Sequence, residues 1–303
     1  MRLPYQTLDV FTQSRFSGNP LAVVHQADQL SDAQMQAIAR EFNLSETVFL
    51  SAPHNPVHAA RARIFTPQSE VPFAGHPTIG AAIALALSEA PKLLTTRDMT
   101  IMIEEEIGVL ECTVRHRQGQ TPAATFHLLD APVEETWAPD PERLARALNL
   151  SATDIGFDWH QACCLSAGLG FTFVPVRSLD AIAQAKPDMS HWMEGMGPEG
   201  FRNAFVYTRE TLNPNVHFHC RMFAPLLGIM EDPATGSAAA AFSGLIERFE
   251  KPADGEHIYL LEQGHEINRP SLMALTVDIA LGELTGASIG GHAVQVMQGE
   301  IEV

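Results

Sequence analysis

Arg63 to Leu87 reads R-I-F-T-P-Q-S-E-V-P-F-A-G-H-P-T-I-G-A-A-I-A-L-A-L, and Arg221 to Ile246 reads R-M-F-A-P-L-L-G-I-M-E-D-P-A-T-G-S-A-A-A-A-F-S-G-L-I. Each opens with Arg-x-Phe-x-Pro, continues to Glu-x-Pro-x-x-Gly and runs on into small apolar residues. Glu70, Pro72 and Gly75 recur as Glu231, Pro233 and Gly236, 161 residues on; Arg-x-Phe-x-Pro recurs 158 residues on, so the second copy carries three extra residues. This is an internal duplication. After Gly75, His76 can cap a helix, and Pro77 suits its first position, where the missing N–H costs nothing. The helix Thr78–Leu87 is apolar nearly all round, as is Ser237–Phe249 in the second copy. Such helices are buried on every side rather than laid on a surface.

Working outward, much of the chain around the first helix reads as strand: Ala60–Phe65, Thr100–Ile103, Val109–Arg115 and Thr125–Leu129. A helix wrapped by a curved sheet satisfies both readings. Ser31 is a fitting N-cap for a surface helix with Met35, Ile38, Ala39 and Phe42 on one face, and Asn43 suits its end. Ser45 to Leu50 follows as a strand, which places Glu46 where the chain enters it. Glu104-Glu105-Glu106 reads as a solvated turn. The second half repeats the plan: Leu179–Ala185 stands for the surface helix, Ala204–Thr208 for Thr47–Leu50, and Val216–Phe223 leads into the second copy. Ile258–Leu261, Leu272–Asp278, Ala287–Ile289 and Val294–Val296 read as closing strands. A composition break at Arg115–Pro122 puts a domain boundary near residue 118.

With 303 residues, 46% of them hydrophobic, the chain can form one large domain or two of similar size, each with its own core. The formal net charge of −17 argues against nucleic-acid binding, which needs a basic face. An acidic substrate would need a local positive site. The four cysteines include the adjacent Cys163 and Cys164 but no CxxC, as expected of reduced thiols in a cytoplasmic protein. The first ten residues lack a signal-peptide core, and the longest apolar run is too short to span a membrane. His217 and His219 share a strand face, but spacing places no third metal ligand, so they read as ordinary strand residues and no metal is expected.

The local positive site lies in the duplication. The first N–H groups of a helix lack intrahelical partners and carry partial positive charge. Two Gly-led helix starts facing one another across a domain cleft would hold a carboxylate, or stabilise the charge left when a proton leaves carbon. The polar residues at the two starts differ: His76 at the first, Asp232 and Ser237 at the second. At matched positions of a duplication they are candidates for proton transfer.

At these residues the sequence resembles the phenazine-biosynthesis isomerase (PhzF-like) family, within the diaminopimelate-epimerase-like fold. The matching segments are F-S-G-N-P-L-A-V-V, N-L-S-E-T-V-F, the two duplicated blocks, Q-G-H-E-I-N-R-P-S and G-G-H-A-V-Q-V. Asn268 departs from the Gly expected in N-R-P-S. The resemblance implies an α+β fold of two similar domains, each a mixed β-barrel wrapped around a central apolar α-helix, with the last strand returning to the first domain. The domains are then 1–118 plus 290–303, and 119–289, with the active site in the cleft between them. It implies no cofactor, a homodimer, and a small anionic carboxylate as substrate. Carried over by position, Glu46 matches the catalytic acid/base, His76 and Asp232 the assisting residues, and Asn19, Ser45, Gly75, Gly236 and Ser237 the substrate contacts.

Three functions are open at this point. The first is an isomerase in which Glu46 takes a proton from one carbon of an unsaturated or cyclic acid, a dihydro-hydroxyanthranilate-like compound, and returns it to another. The second is a cofactor-independent racemase or epimerase. Its known thiol pair would stand beside the helix starts, where this chain has Ala74 and Pro233-Ala234 instead. The third is a non-catalytic protein that binds small anions.

Overall fold

The computed structural model describes all residues, Met1–Val303, and divides into two compact units, Met1–Leu129 with Ser288–Val303, and Asp130–Ala287. The boundary falls after Leu129 rather than at 118, because the strand Ala123–His127 pairs with neighbours of the first unit on both sides.

The first unit contains strands β1 (Arg2–Val10), β2 (Asn19–Val24), β3 (Glu46–Ser51), β4 (Ala60–Phe65), the short β5 (Glu70–Val71), β6 (Met99–Glu105), β7 (Gly108–Arg115) and β8 (Ala123–His127). The C-terminal strand Glu283–Glu302 is one long element, where the sequence suggested two short ones. Its antiparallel bonds to β8 and β1 close the ring β1-β2-β3-β4-β6-β7-β8, giving an eight-strand closed barrel. The pairings β2–β3 and β4–β6 are parallel and the rest antiparallel, so the barrel is mixed.

Helix α1 (Asp32–Phe42) lies outside the barrel. Ser31 closes a capping box with Gln34, Asn43 ends the helix in the left-handed region, and Met35, Ile38 and Ala39 pack on Val24, Phe49 and Phe65. Helix α2 (Gly75–Glu89) runs through the barrel and is buried from Gly75 through Ala86. Small side chains let it fit: a Cβ added at Gly80 would stand 2.3 Å from Leu21 Cδ2. The helix begins at Gly75 with Ala74 as N-cap, so His76 lies inside its first turn rather than capping it. A short helix α3 (Pro91–Leu94) follows.

The second unit carries β9 (Val133–Glu135), β10 (Cys163–Ala167), β11 (Leu169–Pro175), β12 (Asn203–Thr208), β13 (Phe218–Ala224), β14 (Ile229–Asp232), β15 (Gly255–Gln263) and β16 (Ser271–Ala280). They pair in the order β9-β10-β11-β12-β13-β15-β16, with β11–β12 and β13–β15 parallel. Helices α4 (Pro141–Ala147), α5 (Leu179–Gln184) and α6 (Trp192–Gly195) cover one face through Leu144, Ile182 and Trp192. Helix α7 (Gly236–Leu245) is this unit's buried helix, and a π-helical turn, Ile246–Glu250, extends it. Its Phe242 meets Phe173, Phe205, Tyr207 and Phe218 at ring centroid distances of 5.0–5.9 Å.

The duplicated letters have duplicated jobs. Arg63 forms a two-bond pair with Glu70 (2.7 and 2.6 Å) and lies over the Phe65 ring; Arg221 does the same with Glu231 (2.9 and 2.7 Å) and Phe223. The repeated Arg-x-Phe-x-Pro…Glu is thus a clasp that ties two successive strands, β4 to the short β5 and β13 to the short β14, just ahead of each buried helix. A second repeat sits at the ends of β6 and β15. Glu104 accepts the backbone N–H groups of His54 and Asn55, and Glu262 those of Leu212 and Asn213, 158 residues on. The acidic run at 104–106 is therefore no solvated turn: Glu104 and Glu105 are buried. Bonds from Asn55 and His54 hold Glu104 down at about 2, well below the ordinary carboxylate range.

Candidate active site

In the first unit, β2 and β3 run parallel with Leu21 opposite Glu46, so the chain enters β3 with the Glu46 carboxylate at the strand's first position. The first turn of α2 brings His76 to it, with Nε2 3.5 Å from Glu46 Oε2. Asn19, the first residue of β2, is fully buried, and its Nδ2 lies 3.2 Å from His76 Nδ1. An amide nitrogen only donates, so Nδ1 accepts and the ring carries its proton on Nε2, toward Glu46. Burial pushes the His76 imidazole down to about 3, which leaves it neutral. Asn19, Glu46, His76 and Gly75 thus come together within one unit, with Ser45 immediately before β3.

In the second unit, β14 delivers Asp232 to the turn that opens α7 at Gly236, and Asp232 and Ser237 are both buried. Asp232 Oδ2 accepts the Thr235 hydroxyl at 2.6 Å. Gln263, at the end of β15, accepts the Thr235 N–H through Oε1 (3.2 Å) and donates through Nε2 to Asp232 O (2.7 Å) and Thr235 Oγ1 (3.1 Å). Motif reading missed Thr235 and Gln263. The signal was there, because the spacing of 158 that relates Glu104 to Glu262 also relates Glu105 to Gln263.

The symmetry breaks at Glu46. Strand β12 begins with Asn203 as β3 begins with Glu46, and both follow a parallel pairing to the preceding strand. The second unit therefore offers an amide where the first offers a carboxylate, and an amide cannot exchange a proton as a base. All four cysteines are buried, and burial raises the thiols of Cys163 and Cys164 to about 12 and about 11. None stands at a helix start. His219 is held between Glu262 and Glu266 at 2.9 and 2.8 Å, while His217 Nδ1 accepts the Leu260 N–H. These bonds give both histidines ordinary structural roles.

No helix is long and apolar enough to cross a membrane. The family model described as phenazine biosynthesis-like protein (PhzC-PhzF) matches residues 8–299. An uncharacterized isomerase of Mesorhizobium japonicum is 45% identical over 302 residues, covering 98% of each chain. The trans-2,3-dihydro-3-hydroxyanthranilate isomerase of Pseudomonas fluorescens is 34% identical over 300 residues, again 98% of each. Among solved structures, a Bacillus anthracis phenazine biosynthesis protein of the PhzF family superposes with a TM-score of 0.87 over the full length of both chains, at 28% identity. The chain is an isomerase and belongs to the phenazine biosynthesis-like, PhzC-PhzF, family.

Proposed function

We propose that this isomerase moves a proton between two carbons of a small cyclic or unsaturated carboxylic acid, with Glu46 as the group that takes the proton and gives it back. The observation that carries the reading is the line Asn19–His76–Glu46: a buried, neutral imidazole, held at Nδ1 by an amide, sets its Nε2 3.5 Å from the Glu46 carboxylate. A neutral imidazole at that distance does not compete with Glu46 for the substrate's proton, because burial makes it a poor base. The first N–H groups of α2 and α7 are the donors suited to the substrate's carboxylate and to charge developing as the C–H bond breaks. That the two helix starts serve one substrate, with Asp232 and Ser237 assisting Glu46 in a shared cleft, rests on the duplication. So does the homodimer on the family resemblance.

The relatives point to the substrate class. Several are trans-2,3-dihydro-3-hydroxyanthranilate isomerases at about a third identity, so that compound is the first to test. In a compound of this type, a ring C–H next to the conjugated system loses its proton to Glu46. The electron pair moves through the double bonds, and the same carboxyl delivers the proton to the far carbon. Asn203 in Glu46's place supports a single base over the two bases of a racemase. The test is turnover in deuterated water. Wild type is expected to place deuterium at one product carbon or to carry the substrate's hydrogen across. Glu46→Gln is expected to lose on the order of 10²–10⁴-fold in kcat, the usual worth of a positioned acid/base, with an unchanged circular dichroism spectrum. Undiminished turnover by Glu46→Gln would overturn the assignment.

A further inference from the structure

Helix α2 has two ends, about 20 Å apart at 1.5 Å per residue. Its start carries His76 and belongs to the candidate active site. Its far end opens into a cavity of about 950 Å³ that the proposed reaction does not use. Every residue of the cavity wall belongs to the first unit. The floor is apolar and buried: Leu50, Ala60, Ala84 and Leu85 form it. A concave space of this size with an apolar floor and a polar rim suits a small molecule.

The duplication shows how the space arises. Tyr207 stands opposite Cys220 as Leu50 stands opposite Ala62, and Phe218 opposite Leu261 as Ala60 opposite Ile103. Counted from the glycines that begin the two buried helices, Phe249 answers to Ser88. In the second unit all three aromatic side chains are buried. Tyr207, Phe218 and Phe249 close around His160, with ring centroids 5.7, 6.2 and 4.9 Å from it, and plug the end of the helix. The first unit has Leu50, Ala60 and Ser88 at those places, and the end of α2 stays open. The rim selects the occupant by charge. Asp28, Glu89 and Glu300 line it, and no Lys or Arg does. The C-terminal end of α2 adds partial negative charge. Arg2, outside the wall, reaches Glu300 at 3.9 Å and offsets part of its charge, while the Ala52 N–H fixes Asp28 in place. Burial pushes His25 down from 6.5, so it brings no positive charge at neutral pH. Tyr5 adds an aromatic ring to the wall, a surface that attracts a cation.

We propose that the cavity at the C-terminal end of α2 is a second binding site, for a small organic cation: an amine carried on an apolar body. It is independent of the reaction assigned to Glu46, and its test needs no turnover. Methyl NMR of the full-length, leucine-labelled protein follows Leu50 and Leu85, whose signals are assigned by their loss in Leu50→Met and Leu85→Met. 2-Phenylethylamine is expected to shift both signals with a Kd of about 1 mM or below, within reach of a ligand of its size. 3-Phenylpropionate, a similar body with the opposite charge, is expected to bind at least about tenfold more weakly. Ala60→Phe and Ser88→Phe copy the second unit's Phe218 and Phe249 into the space and are expected to abolish the shifts. Ser88 is exposed, so Ser88→Phe tests the site even where Ala60→Phe disturbs the barrel. Glu89→Gln is expected to weaken the amine about two- to fivefold, the usual worth of an exposed charge. Absence of amine-induced shifts up to about 10 mM would overturn the proposal. So would shifts that persist unchanged in Ser88→Phe, or 3-phenylpropionate binding as tightly as the amine. A wild-type dimer that comes apart in Ser88→Phe would show that a second copy covers the cavity, and would overturn it as well.

Discussion

His76 shows how a residue's neighbours decide its chemistry. A histidine beside a glutamate usually gains a proton, because the carboxylate favours the imidazolium. Here burial dominates and pushes the ring down to about 3, while Asn19 occupies Nδ1 with a donor and leaves no acceptor for a second proton. The ring is therefore expected to remain neutral, with its hydrogen on Nε2, across the whole range in which an enzyme is assayed. Nitrogen-15 NMR of the labelled protein checks this. The His76 signals should keep the neutral Nε2–H pattern from about pH 8 down to about pH 5, where an ordinary histidine, titrating near 6.5, is mostly charged. Asn19→Ala removes the donor to Nδ1 and is expected to let the tautomers mix and to lower kcat. An imidazolium signal appearing near pH 6 in the wild type would contradict the assigned geometry.

The two clasps test what a repeated sequence element contributes. Arg221 is buried, pairs with an almost buried Glu231, and also donates to the carbonyls of Ile182, Ala183 and Ala185 at the end of α5. Arg63 makes the same pair, but Glu70 is one-third exposed, and its third partner, Asp32 at the start of α1, is open to water. Truncating one side of a buried pair strands the other charge, so Arg221→Met is expected to cost about 3–5 kcal/mol. Arg63→Met is expected to cost about 1 kcal/mol, since water takes over its partners. Denaturant titration of the two variants measures the difference, and equal losses would mean that exposure does not separate the clasps. The clasps also show where sequence reading ends. The Arg-x-Phe-x-Pro…Glu spacing revealed the duplication and both buried helices, since a stretch of Ala, Gly, Ile and Leu has one stable home. It did not reveal that Arg reaches Glu. The acidic run at 104–106 read as a turn because charge ordinarily means solvent. Burial of Glu104 becomes visible only when the N–H groups it receives, some fifty residues away, are brought alongside.

At the scale of the molecule, the duplication produced two units with the same strand registers and different ionisable groups, the differences lying at the starts of β3 and β12, at the starts of the two buried helices and at the last residues of β6 and β15. Ser45, Glu46 and Asn19 could be proposed as site residues from the sequence only through family resemblance, because no local pattern separates a carboxylate that works on a substrate from a solvated one at a strand start. The buried groups, by contrast, make their own prediction for stability. Glu105 is raised from the ordinary 4.5 to about 8 by burial, so the folded state binds its proton more tightly than the unfolded chain does. Stability is then lost as pH rises from about 4.5, and the loss is complete above about 8. For His219, burial opposes the charge, but Glu262 and Glu266 outweigh it and raise the ring from 6.5 to about 9. Its contribution is present in full below 6.5 and disappears as pH rises through 9. Both groups act in one direction, each with a limiting slope of about 1.4 kcal/mol per pH unit inside its window. The wild-type denaturation midpoint is therefore expected to fall between about pH 5 and pH 7 and again between about pH 7 and pH 9. Glu105→Gln keeps the hydrogen-bond donor and removes the charge, so it should abolish most of the first fall and reduce the second, which also spans the last part of the Glu105 window, by about a third. Guanidinium titrations of both proteins at the three pH values decide it: an undiminished first fall in Glu105→Gln would mean that Glu105 is not the buried acid.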